Sequence, residues 1–195
     1  GHKIIHLPTL TNITQAITLA AWVKFDTDET FETLFSTDDY GSDGGFWLRR
    51  EDNADGRLAF KLTYTDGTTS GEQESSADGG FKVADGWVHI AVTWASSNGH
   101  IDFYKNGSKI ETKTNGQFKT LKTGGDGVEI GAGLSDFDGA MDQPRIWSRV
   151  LSENEIQSLY LNPQGDRGTL ISGDQISTGG ITSNNWSSTQ GTLID

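Results

Sequence analysis

Asp85-Gly-Trp-Val-His-Ile-Ala-Val-Thr-Trp-Ala-Ser-Ser-Asn-Gly-His-Ile-Asp-Phe-Tyr-Lys-Asn-Gly107 is the stretch whose reading decides the fold. Trp87 to Trp94 reads as a strand, Ser97-Asn98-Gly99 as a tight turn, and His100 to Lys105 as a second strand. Asn106-Gly107 then supplies a strong short-range hairpin signal, because both turn positions favour positive φ. Val88, Ile90, Val92 and Trp94 fall on one face of the first strand, which makes it the hydrophobic spine of an all-β domain.

The same two-residue period extends outward from this spine. Ala16 to Phe25 places Ile17, Leu19, Ala21, Val23 and Phe25 on one face and Trp22 on the other, as expected of an inner strand covered on both sides. Lys3–Leu7, Thr33–Ser36, Phe46–Arg50, Arg57–Tyr64, Ser108–Lys113, Val128–Ile130 and Ala140–Trp147 are further strands. Glu72–Gly80 reads as a polar connection. Pro144 removes a backbone donor, so its strand belongs at an edge or a bulge. Short strands between Gly/Asn/Asp turns predict a two-sheet antiparallel jelly-roll sandwich. One short helix is expected at 152–160: Ser152 and Glu155 form a capping box, and Ile156, Leu159 and Tyr160 share a face.

The 195 residues suffice for one large core, and 33% of them are apolar. The domain is placed at 1–161, with a Gly/Ser/Thr-rich extension over 162–195 packing on it. Gly1-His2 reads as the trimmed start of a piece of a larger chain, so sister domains are expected. With no Cys, neither disulfides nor Cys-ligated zinc are available. A formal net charge of −12 argues against nucleic-acid binding and against attraction to anionic membranes. No apolar run is long enough to span a bilayer, so no membrane insertion is expected.

Two segments together resemble the laminin-G-like and pentraxin family, which shares the concanavalin-A-like jelly roll. Phe137-Asp-Gly-Ala-Met-Asp-Gln-Pro-Arg-Ile-Trp-Ser-Arg-Val-Leu-Ser-Glu-Asn-Glu-Ile156 looks like that family's closing strand and short helix. His89-Ile-Ala-Val-Thr-Trp-Ala-Ser96 is similar to the pentraxin signature, with Ala91 where that signature has a Cys and Ala20 where its partner would stand. The resemblance implies an extracellular, non-catalytic recognition module of a larger adhesin or secreted protein. Its implied partner is a glycan or cell-surface glycoprotein, with calcium as the implied cofactor. A structural or adhesion spacer and a polysaccharide-active enzyme of the same fold stay open beside it.

Asp52-Asn53 resembles the pair that ligates calcium in pentraxins. In the following ligand loop, Gly131–Asp136, only Asp136 could serve. The alternative for Asp52-Asn53 is an ordinary solvated Asx turn. Asp142 is similar in position to an Asp that ligates a structural calcium in glycan-hydrolase relatives; the alternative is a local hydrogen bond. Asp38, Asp39, Tyr40 and Asp43 offer an aromatic face and carboxylates, the composition of a sugar site. Trp47, Trp22, Trp87 and Trp147 read as core, Trp94 as either core or ligand platform, and Trp186 as a tail anchor or a platform. His89 reads as a satisfied core histidine. Glu72-Gln73-Glu74 alternates like paired glycosidase carboxylates but lies in a turn-like context without a third acid. The segment Gly191–Asp195 is a candidate to fill a strand position left vacant before Lys3.

Overall fold

The computed structural model describes residues 5–8, 13–28, 31–37, 45–51, 56–65, 70–78, 80–114, 120–121, 127–133 and 135–163. Within them the strands run β1 Ile5–Leu7, β2 Ala16–Phe25, β3 Glu32–Thr37, β4 Phe46–Glu51, β5 Arg57–Thr65 and β6 Ser70–Asp78. After a 3-10 turn at Val83–Asp85 come β7 Val88–Ala95, β8 His100–Lys105, β9 Ser108–Thr114, β10 Thr120–Leu121, β11 Val128–Ile130 and β12 Gly139–Trp147. Helix α1, Glu153–Leu161, follows.

All pairings among these strands are antiparallel, and they build two sheets. The smaller sheet has the order β12-β2-β7-β8-β9, so the spine strand β7 stands at its centre. The larger sheet runs β1-β11-β3-β4-β5, with β6 along one side of β5 and β10 pairing Tyr64 and Thr65 where β4 has ended. The inward sets Ile17, Leu19, Val23, Phe25 and Val88, Ile90, Val92, Trp94 meet Leu34, Phe35, Leu48, Leu58 and Phe60 of the opposing sheet in one core. Trp94, left between two readings, is a core residue at 1% exposure.

The second face of β2 is covered by the chain that returns after β12. Ala20, Ala91 and Tyr104 pack with Leu151 and Ile156, flanked by Trp147 and Leu159. The Thr18 hydroxyl fastens this layer by donating to Arg149 O at 2.7 Å and accepting from Leu151 N at 3.0 Å. Helix α1 starts where the capping box predicts. Ser152 Oγ accepts from Glu155 N, and Glu155 Oε2 accepts from Ser152 N at 2.9 Å. Arg149 pairs with Glu155 at 2.6 Å and, with the Ser152 contacts, holds the Glu155 carboxyl down at about 2. The bulge between Asp142 and Arg145 falls at Pro144, as its missing donor requires, and β12 is an edge strand.

Two expectations are corrected. Residues 70–78 are not a polar connection but strand β6, in register with β5 from Thr65↔Ser70 to Arg57↔Asp78. An edge strand needs only one paired side, and this one lacks the apolar alternation that reveals inner strands. Trp87 is 47% exposed: it falls on the parity of β7 that faces away from the core. Trp47 is buried at 4%, in keeping with its core reading, on the parity of β4 opposite to that of Phe46 and Leu48. The expected extension beyond Pro163, with Trp186 and Gly191–Asp195, lies outside the described residues.

Candidate functional site

Strand direction sorts the candidate residues onto two ends of the larger sheet. The pairs Glu32↔Arg50 and Glu51↔Arg57 put the start of β3, the end of β4 and the start of β5 together. β11 runs so that Ile130 opposes Phe35, which sends the 131–138 loop toward the same end. That loop is fastened there by Gly131 N to Leu34 O at 3.0 Å, Thr33 N to Ser135 O at 3.1 Å, Asp26 N to Asp138 O at 3.1 Å and Ser36 Oγ to Ala132 O at 2.7 Å. Asp136 is exposed on it. Asp52 and Asn53 lie outside the described residues, but the strand ends that flank them, Glu51 and Gly56, stand at this end. Asp38, Asp39, Tyr40 and Asp43 also lie outside the described residues. Their flanking positions, Thr37 and Phe46, are at the other end of β4, roughly 17 Å away at the rise of an extended strand. The segment with the proposed sugar residues and the Asp52-Asn53 segment are therefore joined to opposite ends of one strand.

A buried ion pair organises the Asp136 end. Arg50, 2% exposed, points into the sandwich with its guanidinium 4.5 Å from the Phe25 ring centroid. Its Nη2 lies 2.8 Å from Glu32 Oε2, a contact out of line for a hydrogen bond, and donates to Thr27 O at 2.7 Å. Nη1 donates to Asp28 Oδ1 at 3.1 Å, which also accepts from Val83 N at 3.0 Å. Glu32 Oε1 accepts from Thr27 Oγ1 at 3.3 Å. Burial pushes the Glu32 carboxyl up to about 7, against the opposing pull of Arg50 and of hydrogen bonds from Thr27 and the Asp138 backbone. The segments 26–28, 81–83 and 137–138 are thus tied to one hub.

The residue next to each partner faces the other way. Phe31 and Arg49 meet on the outer face of the larger sheet, where the Arg49 guanidinium lies 3.9 Å from the Trp47 ring centroid and 4.7 Å from that of Phe31. Arg49 Nη2 donates to Glu51 Oε1 at 2.9 Å. Phe31 is 41% exposed and has φ of 62°, a left-handed backbone uncommon for a bulky side chain. Phe31, Arg49 and Glu51 were not singled out from sequence. The available signal is one aromatic in the polar run Asp26-Thr-Asp-Glu-Thr-Phe-Glu32, followed later by an Arg-Arg pair that must point to opposite faces.

Asp142 stands elsewhere, on the smaller sheet opposite Trp22, and its Oδ1 accepts from Gln143 N at 2.8 Å inside the bulge. Gln143 has φ of 51° and its Oε1 accepts from Arg145, so the side chains here hold the bulge itself. His89 is buried as expected, but its Nδ1 has no hydrogen-bond partner; it packs edge-on to Trp22 at 5.5 Å beneath Tyr160. Burial, with the charge of Arg145, lowers its pKa to about 4. Among the described residues, no three His, Asp or Glu side chains come together as a metal-holding group.

Residues 1–157 match the profile of the concanavalin A-like lectin/glucanases superfamily, in its laminin-G form. The chain belongs to that superfamily. The chain is 27% identical over 183 aligned residues to a pentraxin fusion protein of Xenopus laevis, covering 88% of this chain and 41% of that protein. The chain thus spans about two fifths of the length of that relative. The same jelly roll is found in the Ruminococcus gnavus IT-sialidase CBM40 bound to α2,3-sialyllactose, with a TM-score of 0.61 and 19% identity over 76% of this chain and 84% of that one. It is found also in the native heptameric SAP-like pentraxin of Limulus polyphemus, with a TM-score of 0.57 and 20% identity over 80% of this chain and 72% of that one. No helix among the described residues is long and apolar enough to cross a membrane.

Proposed function

We propose that this laminin-G-like domain is a non-catalytic glycan-recognition module of an extracellular protein, binding at the Asp136 end of its larger sheet with the help of calcium. The observation that carries the reading is the convergence at that end. The Asp136 loop, the strand ends flanking Asp52-Asn53 and the Phe31–Arg49–Glu51 group all stand around the Glu32–Arg50 hub. A calcium ion takes six to eight oxygens, and Asp136 with Asp52 and Asn53 would supply its side-chain donors there. The superfamily and the sialyllactose-bound neighbour support a sugar as partner. Asp142 is a weaker metal candidate, since its carboxylate already serves the bulge.

A glycan array read with calcium and again with chelator tests this. Binding that falls on chelation, together with a calcium-induced rise in Tm that D136N diminishes, is the expected result. A blank array in calcium would leave a spacer domain, and release of reducing sugar from polysaccharides would make the protein an enzyme. Absence of both heat and Tm change on adding calcium would remove the metal alone.

A further inference from the structure

Phe31 is held in an unfavourable backbone conformation with its ring in solvent, and its neighbours explain how that persists. Glu32 is pinned inward by Arg50 and Thr33 N is bonded to Ser135 O, while the Phe31 ring rests on Arg49. A strained φ that the surroundings over-determine, on an exposed aromatic, is a recurring mark of a ligand contact. Under the ring the floor is rigid: Trp47 is 4% exposed, Arg49 is stacked on it, and the Trp47 Nε1 donor has no partner. At the edge stands Glu51, whose Oε1 accepts from Arg49 Nη2 at 2.9 Å and whose side chain is 15% exposed.

We propose that Phe31 and Glu51 form a subsite for a neutral, hydroxyl-rich sugar ring, a proposal that rests on the glycan-binding reading above. The exposed face of Phe31 offers a platform for the C–H face of a pyranose, and the partly exposed Glu51 carboxylate accepts from ring hydroxyls, the arrangement of few polar groups beside an apolar surface. Charge decides between neutral and acidic sugars. Arg49 is already neutralised by Glu51, and Arg50 behind it by Glu32 and Asp28. A carboxylate-bearing sugar would meet the Glu51 carboxylate on a chain of net charge −12. The ligand class therefore differs from the sialyllactose of the R. gnavus module.

An array carrying neutral and acidic glycans, probed in calcium with the wild-type chain, F31G and E51Q, tests the subsite. F31G removes the ring but lets glycine adopt φ of 62° without a Cβ penalty, so its fold is retained and its Tm is the control. Wild-type binding to neutral glycans, weakened about tenfold or more in F31G and in E51Q with Tm nearly unchanged, is the expected result. Hits confined to acidic glycans, or neutral hits insensitive to both substitutions, overturn the subsite while leaving glycan recognition intact. A blank wild-type array removes the glycan reading and the subsite with it.

Discussion

Ala20 on β2 and Ala91 on β7 are directly opposed cross-strand partners, and both lie buried under helix α1. The pentraxin signature that this stretch resembles has Cys at both positions, and here two small apolar residues stand in register. Opposed residues in an antiparallel pair have Cα atoms about 4.5–5.5 Å apart, inside the range a disulfide tolerates. The double variant A20C/A91C should therefore oxidise within one chain, with no free thiol by titration under denaturing conditions. Closing this long loop should add about 2–4 kcal/mol to stability in urea unfolding, an increment that reductant abolishes. Thiols that remain free after oxidation would show the two strands to be out of register.

Stability should be greatest in mildly acidic solution, because Glu32 and His89 titrate in opposite senses. Glu32 binds its proton more tightly folded, at about 7 against 4.5 unfolded, so its contribution is complete below 4.5 and is lost as pH rises through 7. The charges facing it are Arg50 and Asp138, with Asp28 on the far side of Arg50. His89 is kept neutral in the fold down to about 4, so it costs stability as pH falls from 6.5 to 4. From pH 8 to 6.5 only the Glu32 effect acts, and stability should rise by about 1 kcal/mol. Between 6.5 and 4.5 the two slopes cancel and a plateau follows. E32Q should lose the rise and instead fall by about 3 kcal/mol between pH 6.5 and 4, measured by urea denaturation across pH. A wild-type stability that climbs steadily from pH 5 to 8 would contradict this sign.

The turn at Asn106-Gly107 is also the seat of the helix. Gly107 has φ of 78°, and a Cβ there would stand 3.0 Å from Tyr160 Cβ and 3.1 Å from its Cδ1. Gly86 has a similar φ of 65° but nothing within 4 Å of its added Cβ. G86A should pay only backbone strain, about 1–3 kcal/mol at φ of 65° and ψ of −135°, a conformation largely confined to glycine, whereas G107A adds to its own strain a clash that displaces Tyr160 from its stack on Trp22. We expect G107A to cost about 1–2 kcal/mol more than G86A by chemical denaturation. Equal costs would mean that α1 yields freely and does not rest on the hairpin.

What was legible from sequence follows the two-residue period. Where one face of a strand is uniformly apolar, as in β2 and β7, the period gives boundaries and faces, while the pairing of Ala20 with Ala91 comes from the resemblance to the pentraxin signature and is met in the register. β6 escaped because an edge strand of Ser, Gly, Glu and Gln needs no buried face. The Glu32–Arg50 pair escaped for another reason: a register shift between Thr33 and Phe35 breaks the parity of β3, so Leu34 and Phe35 both enter the core. Phe31 escaped because its meaning lies in a contact with Arg49, and no local pattern encodes a stacking partner on the next strand.

The tryptophans that bracket β7 carry the last test. Trp87 and Trp94 are seven positions apart, an odd separation, so on a pleated strand they face opposite ways. Trp94 fills the core between the sheets, with its Nε1 lacking a partner. Trp87 stands nearly half exposed, beyond the stretch of β7 that α1 covers. W94A removes a buried indole and should cost about 3–5 kcal/mol, and W94F should recover much of that because the orphaned Nε1 leaves with the ring. W87A should change stability by less than about 1 kcal/mol. Urea melts of the three variants decide it: a W87A as damaging as W94A would mean that Trp87 is covered in the folded protein, and the outward parity of β7 would have to be abandoned.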